Sequence, residues 1–259
     1  MLDAIQYLLG AGSGVLVGFV LGLVGGGGSI LAVPLMVYLV GVPNPHVAIG
    51  TSAFAVAVNA ATGLANHARA GTVKWRCAII YAAAGVAGAF LGSSGGKAVD
   101  GHKLLFLFAI VMVFVGVMML RGRGKSDNPD VQCNRTNAPK VVTYGFGTGI
   151  FSGFFGIGGG FLIVPGLVAS TGMPMINAIG SSLVAVTAFG LTTAANYALS
   201  GLVDWALALV FIAGGILGGF FGARLAKRLA GKHGQLTSIF AALIFGVAAY
   251  MLWKSAAAL

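Results

Sequence analysis

Residues 18–34 read GFVLGLVGGGGSILAVP, and 131 positions further on residues 149–165 read GIFSGFFGIGGGFLIVP. Glycines coincide at Gly18/Gly149, Gly22/Gly153, Gly25/Gly156, Gly27/Gly158 and Gly28/Gly159, and prolines at Pro34/Pro165. After a one-residue gap the match continues. AIGTS at 48–52 meets AIGSS at 178–182, Asn66 meets Asn196, Trp75 meets Trp205, and Gly85, Gly88 and Gly92 meet Gly215, Gly218 and Gly222. Self-similarity at one spacing over some eighty residues is the mark of an internal duplication. The chain therefore divides into a first repeat at 1–120, a linker at 121–140 and a second repeat at 141–259, forming one integrated membrane domain.

Each repeat opens with an apolar segment too long for one crossing. Residues 8–41 carry no charge, and a straight helix of that length would reach about 50 Å across a hydrocarbon core of about 30 Å. Glycine clusters stand in the middle of this segment and of its counterpart at 141–170, where they weaken a helix most. Both segments are therefore expected to be broken or re-entrant hairpins, each followed by three transmembrane helices.

Composition supports lipid as the solvent. Of 259 residues, 58% are hydrophobic and 8% charged, against roughly 25% charged in soluble domains. The formal charge of +10 sits in short loops beside apolar segments, the arrangement that orients a membrane protein. No basic stripe or aromatic platform accompanies it, so a lipid bilayer and not nucleic acid is the expected partner. With both long segments folded as hairpins, the fifteen Lys and Arg divide twelve to three between the faces; single crossings would divide them nine to six. Matching loops also exchange charge: Arg69, Lys74 and Arg76 correspond to Leu199, Asp204 and Ala206. This predicts an all-α polytopic protein with two inverted-topology repeats, the 121–140 linker cytoplasmic and both termini outside. Cys77 and Cys133 are too few and too distant to suggest a metal cluster or disulfide framework, and a cytoplasmic Cys133 is expected to be reduced. The N-terminus lacks the basic region of a cleaved signal, so the first apolar segment is expected to remain.

Inverted repeats with interrupted helices place substrate between the halves, near mid-membrane. Gly26, Gly27, Gly28 and Ser29, with Gly158, Gly159 and Gly160, are the candidate breaks, where backbone N–H groups can meet an anion. The paired hydroxyls Thr51 and Ser52, and Ser181 and Ser182, recur after a loop in both repeats and complete the expected site. Bonding to their own helix backbone is the bland alternative. Gly18, Gly22, Gly85, Gly88 and Gly92 are read as packing positions. Asn59, Thr62, Thr187, Thr192, Thr193 and Asn196 add polar groups along the same helices. All five carboxylates, Asp3, Asp100, Asp127, Asp130 and Asp204, fall at a terminus or in expected loops. An interior with hydroxyls, amides and N–H groups but no acid suits an anion or a neutral solute better than a cation. There is no P-loop, zinc spacing or Ser-His-Asp set, so neither enzyme, cofactor nor metal is expected.

The motif GLVGGGGSILAVP followed by AIGTS, repeated as GFFGIGGGFLIVP and AIGSS, resembles the TauE/SafE family of sulfite exporters and related anion permeases. The likeness runs from about residue 10 to residue 254. It implies a secondary transporter in the bacterial cytoplasmic membrane, moving sulfite, sulfoacetate or related sulfonates, with export the expected direction. An anion channel and a non-transporting membrane scaffold are the alternatives, and homo-oligomerisation is left open.

Overall fold

The computed structural model describes residues 3–121, 133, 137–158, 160–228 and 244–254. It is all-helical, with no strand among the described residues. Helix α1 (Ala4–Val24) runs into a 3-10 segment (Gly25–Leu31), the single turn α2 (Ala32–Pro34) and a π-helical turn (Leu35–Leu39). Then come α3 (Pro45–Arg69), α4 (Trp75–Ala98), α5 (Gly101–Arg121), α6 (Ala138–Phe155), α7 (Gly160–Thr171), α8 (Met175–Ala198) and α9 (Trp205–Arg228). A last apolar helix, α10, covers Ile244–Lys254. Five helices among the described residues (α1, α3, α4, α8 and α9) are long and apolar enough to cross a membrane. Leu209, Leu217, Phe220 and Phe221 on α9, with Phe90 and Leu91 on α4, are each more than half exposed. Lipid is the natural cover for such faces.

Both long segments fold back on themselves. Gln6 Nε2 donates to the carbonyls of Val40 at 3.0 Å and Gly41 at 3.5 Å, which brings the end of the returning arm beside the start of α1. In the second case α6 and α7 reverse at Gly156 to Gly158. Thr148 on the outgoing helix then faces Gly166 on the return, where an added Cβ would lie 3.5 Å from the threonine methyl. Gly156 and Gly158 adopt left-handed backbone (φ 67° and 64°), which glycine reaches without steric penalty. The first reversal uses right-handed 3-10 turns at Gly25 to Leu31 instead.

The tightest packing joins helices far apart in sequence. Helix α1 lies along α9, and α6 lies along α4. The glycines expected to pack do so here. A Cβ on Gly18 would strike the Gly215 carbonyl, and one on Gly149 would strike that of Gly85, the position equivalent to Gly215. Gly22 likewise backs onto Gly219, and Gly92 onto Ile150. Close backbone approach of this kind is how helices associate in lipid, where apolar burial gives no net drive. Between the two pairs, α3 and α8 cross in opposite directions. Gly50 near the start of α3 meets Tyr197 and Val203 at the far end of α8, while Gly180 near the start of α8 meets His67 and Thr72. Helix α3 begins cleanly: Asn44 Oδ1 accepts from the His46 N–H at 2.9 Å, with Pro45 in the first turn.

One expectation is overturned. Cys77 and Cys133 form a disulfide, with Cα atoms 5.4 Å apart across 56 positions of sequence. Helices α4 and α6 run side by side from the same end, and Cys133, ahead of α6, lies against Cys77 in the first turn of α4. Distance along the chain says nothing about that return.

Candidate functional site

The Gly156–Gly158 turn rests on the middle of the two central helices. A Cβ on Gly158 would lie 3.2 Å from Val56 on α3 and 3.3 Å from Val186 on α8, and those two valines are sequence equivalents. Both are fully buried. From the other side the Gly25–Leu31 segment packs against α7 and α8. Gly26 and Gly27 lie in that 3-10 segment, Gly28 abuts Val20 and Leu21 of α1, and Ser29 is fully buried. Gly160 starts α7 and is buried, so the first N–H groups of that helix open beside the turn. Gly159 lies outside the described residues.

The hydroxyl pairs are placed differently from expectation. Thr51, Ser52, Ser181 and Ser182 are all fully buried. Ser52 Oγ donates to the Ile49 carbonyl at 3.0 Å and Ser182 Oγ to that of Ile179 at 2.7 Å, so each serves its own helix. Thr51 Oγ1 accepts from the Asp204 N–H and Ser181 Oγ from the Lys74 N–H, both at 2.9 Å. Lys74 and Asp204 are equivalents that immediately precede α4 and α9. Each hydroxyl therefore ties the central helix of one repeat to a loop of the other. Gly180 touches His67, sixteen residues along α3 from Thr51, so the pairs stand about 24 Å apart along the helix. They cannot enclose one small ion. The Gly158 turn touches both central helices; the hydroxyl pairs stand at opposite ends of them.

Other polar groups gain roles that spacing did not reveal. Lys97 Nζ donates to the Asn196 carbonyl at 3.0 Å, to Asn196 Oδ1 at 2.8 Å and to Ser200 Oγ at 3.0 Å. Asn196 Nδ2 in turn donates to Ser93 Oγ at 2.7 Å and Ser94 Oγ at 3.0 Å. The lysine thus satisfies carbonyls at the C-terminal end of α8, where a cation also complements the helix dipole. Tyr81 OH and Thr148 Oγ1 form a 2.8 Å pair between α4 and α6. Asn59, by contrast, is 3% exposed and has no partner for Nδ2 or Oδ1 among the described residues. Among those residues no group of three or more His, Cys, Asp or Glu is placed to hold a metal ion.

An all-helical chain with apolar crossing helices, two interrupted hairpins and a glycine turn resting on both central helices is a multi-pass membrane protein of the transporter class. Residues 10–251 match the model of the sulfite exporter TauE/SafE family, and the chain belongs to that family. A "Probable membrane transporter protein" of Xylella fastidiosa is 53% identical over 254 residues, covering 96% of this chain and 95% of that protein. The "Probable membrane transporter protein YunE" of Bacillus subtilis is 26% identical, covering 85% and 88%. No solved structure matches the chain.

Proposed function

We propose that this protein is a secondary carrier that exports a small sulfur-containing or organic anion across the bacterial cytoplasmic membrane. Sulfite is the favoured substrate, with sulfoacetate and related sulfonates next. The carrying observation is the Gly158 turn resting on Val56 and Val186, with the Gly25–Leu31 segment packed on α7 and α8, in crossing helices whose sequences hold no carboxylate. Among the described residues Asp3, Asp100 and Asp204 all precede helices. Backbone N–H groups at the tips and at the start of α7 replace the hydration shell of the anion. Thr51 and Ser181 enter as posts that hold loops across the repeats, and Ser52 and Ser182 as helix-bound hydroxyls.

The opposed directions of the equivalent helices α3 and α8 support an inverted repeat. The exchanged pairings of α1 with α9 and α6 with α4 support it too. In that topology Lys97, Lys103 and Lys254 share one face with the N-terminus, and the other twelve Lys and Arg share the linker's face. Excess positive charge favours the cytoplasm for the linker. On that side the Cys77–Cys133 bond meets an environment that favours free thiols. Rocking of the α1–α9 pair against the α4–α6 pair exposes the central site to each side in turn. Export of an anion is aided by an inside-negative potential, by about 2.3 kcal/mol per charge per 100 mV.

Uptake of labelled sulfite into proteoliposomes, competed with sulfonates, carboxylates and sulfate, tests this reading. Saturable, potential-sensitive uptake that sulfite or a sulfonate competes best is expected. No uptake above empty liposomes, from folded and inserted protein, overturns it.

A further inference from the structure

The most exceptional polar side chain of the interior is the Asn59 amide. An amide carries two N–H donors and a carbonyl acceptor, and burying it without partners costs more than an apolar side chain of the same shape. Its environment is built closely around it: a Cβ on Gly215 would run into the amide, so the glycine leaves the space that the amide occupies. The equivalent position in the second repeat is Phe189, which packs on Gly85, the equivalent of Gly215. Phe189 is fully buried and stacks on Tyr81, with ring centroids 6.5 Å apart and planes 18° from parallel. One scaffold thus holds an aromatic plug on one side and a bare amide on the other. The fold alone does not require the amide, because its twin position is satisfied by hydrocarbon.

Asn59 also stands in the right place. It lies three residues along α3 from Val56, the residue on which the Gly158 tip rests, and residues three apart are neighbours on a helix surface. We propose that Asn59 is the side chain that binds the carried oxyanion, its Nδ2 donating to an oxygen of the sulfite or sulfonate group beside the Gly158 turn. The assignment rests on the anion-carrier reading and names the contact that makes the site one-sided. Phe189, the equivalent residue, can offer no such bond.

Sulfite uptake and thermal melting of wild type, Asn59→Leu and Asn59→Gln in the same lipid test the assignment. Asn59→Leu is expected to raise KM for sulfite by about tenfold, the loss of one hydrogen bond to a charged group. Its melting temperature without anion is expected to equal or exceed that of wild type. Asn59→Gln, which keeps the amide but extends it, is expected to fold and to change the ranking of sulfite against larger sulfonates. An unchanged KM in Asn59→Leu overturns the assignment while leaving the carrier reading intact. So does a lowered melting temperature in Asn59→Leu with an unaltered ranking in Asn59→Gln, which marks a structural amide. Absence of uptake by the wild type itself overturns both.

Discussion

The packing of α1, α9 and α3 and that of α6, α4 and α8 are two versions of one bundle with different interiors. In the second, Phe189 fills the space over Gly85 and Tyr81 OH is bonded to Thr148, though the small hydroxyls Ser152 and Thr193 are buried without partners among the described residues. In the first, Phe211 replaces Tyr81, Val17 replaces Thr148, and Asn59 replaces Phe189. The glycine seams are shared, so backbone geometry has been kept where two helices touch. The side chains facing the central helices have diverged. Duplication supplies a symmetric frame; function needs only one lined wall.

The largest effect is expected from writing one bundle into the other. Phe189→Asn removes a fully buried ring and leaves an amide against Gly85, a loss of about 3–5 kcal/mol. Denaturant or thermal unfolding in detergent reads this directly. A loss under about 1 kcal/mol would show that the second bundle tolerates an amide as the first does, and the contrast between them would fall. Next come the seams themselves. Gly18→Ala and Gly149→Ala each drive a methyl into a carbonyl of the facing helix, costing about 1–3 kcal/mol. Equal losses in melting experiments are expected because the contacts are equivalent. A loss confined to one variant would separate the seams.

The smallest effect concerns the cap at the start of α5. Asp100 Oδ1 accepts from the backbone N–H groups of Lys103 at 3.2 Å and His102 at 3.0 Å at the start of α5. The Lys103 N–H, then that of His102, holds its carboxyl below the usual carboxylate range. The matching residue in the other repeat is Ala230. A lowered folded-state pKa means that this contribution is present above the ordinary carboxylate value, about 4, and lost as pH falls through the folded one. The melting difference between wild type and Asp100→Asn is therefore expected to shrink with acid. A difference constant with pH would remove the cap from the account.

The duplication, the hairpins and the glycine seams were legible because each depends on residue type at a spacing, which duplication prints twice. The glycine runs also marked the tips correctly, since no other residue takes the left-handed turn at Gly156 and Gly158 so readily. The hydroxyl pairs were misread because their partners, Asp204 and Lys74, lie in the opposite repeat, 153 and 107 positions away. The disulfide was missed for the same reason. Asn59 was visible as a polar residue in an apolar helix, but its isolation is a property of the surrounding packing. Local chemistry is readable from the chain; partnership across the exchanged helices is not.

The exchange also sets a timetable for biogenesis. Helix α1 is made about 180 residues before α9, against which it packs, and α4 only about 40 before α6. At about 5–20 residues per second, the first partnership waits about 10–40 s and the second about 2–8 s. During that interval α1 presents its glycine face to lipid or to the insertion machinery with no helix to receive it. The bundle that carries Asn59 is thus the last to close, and the nascent chain depends most on assistance in the half that does the recognising.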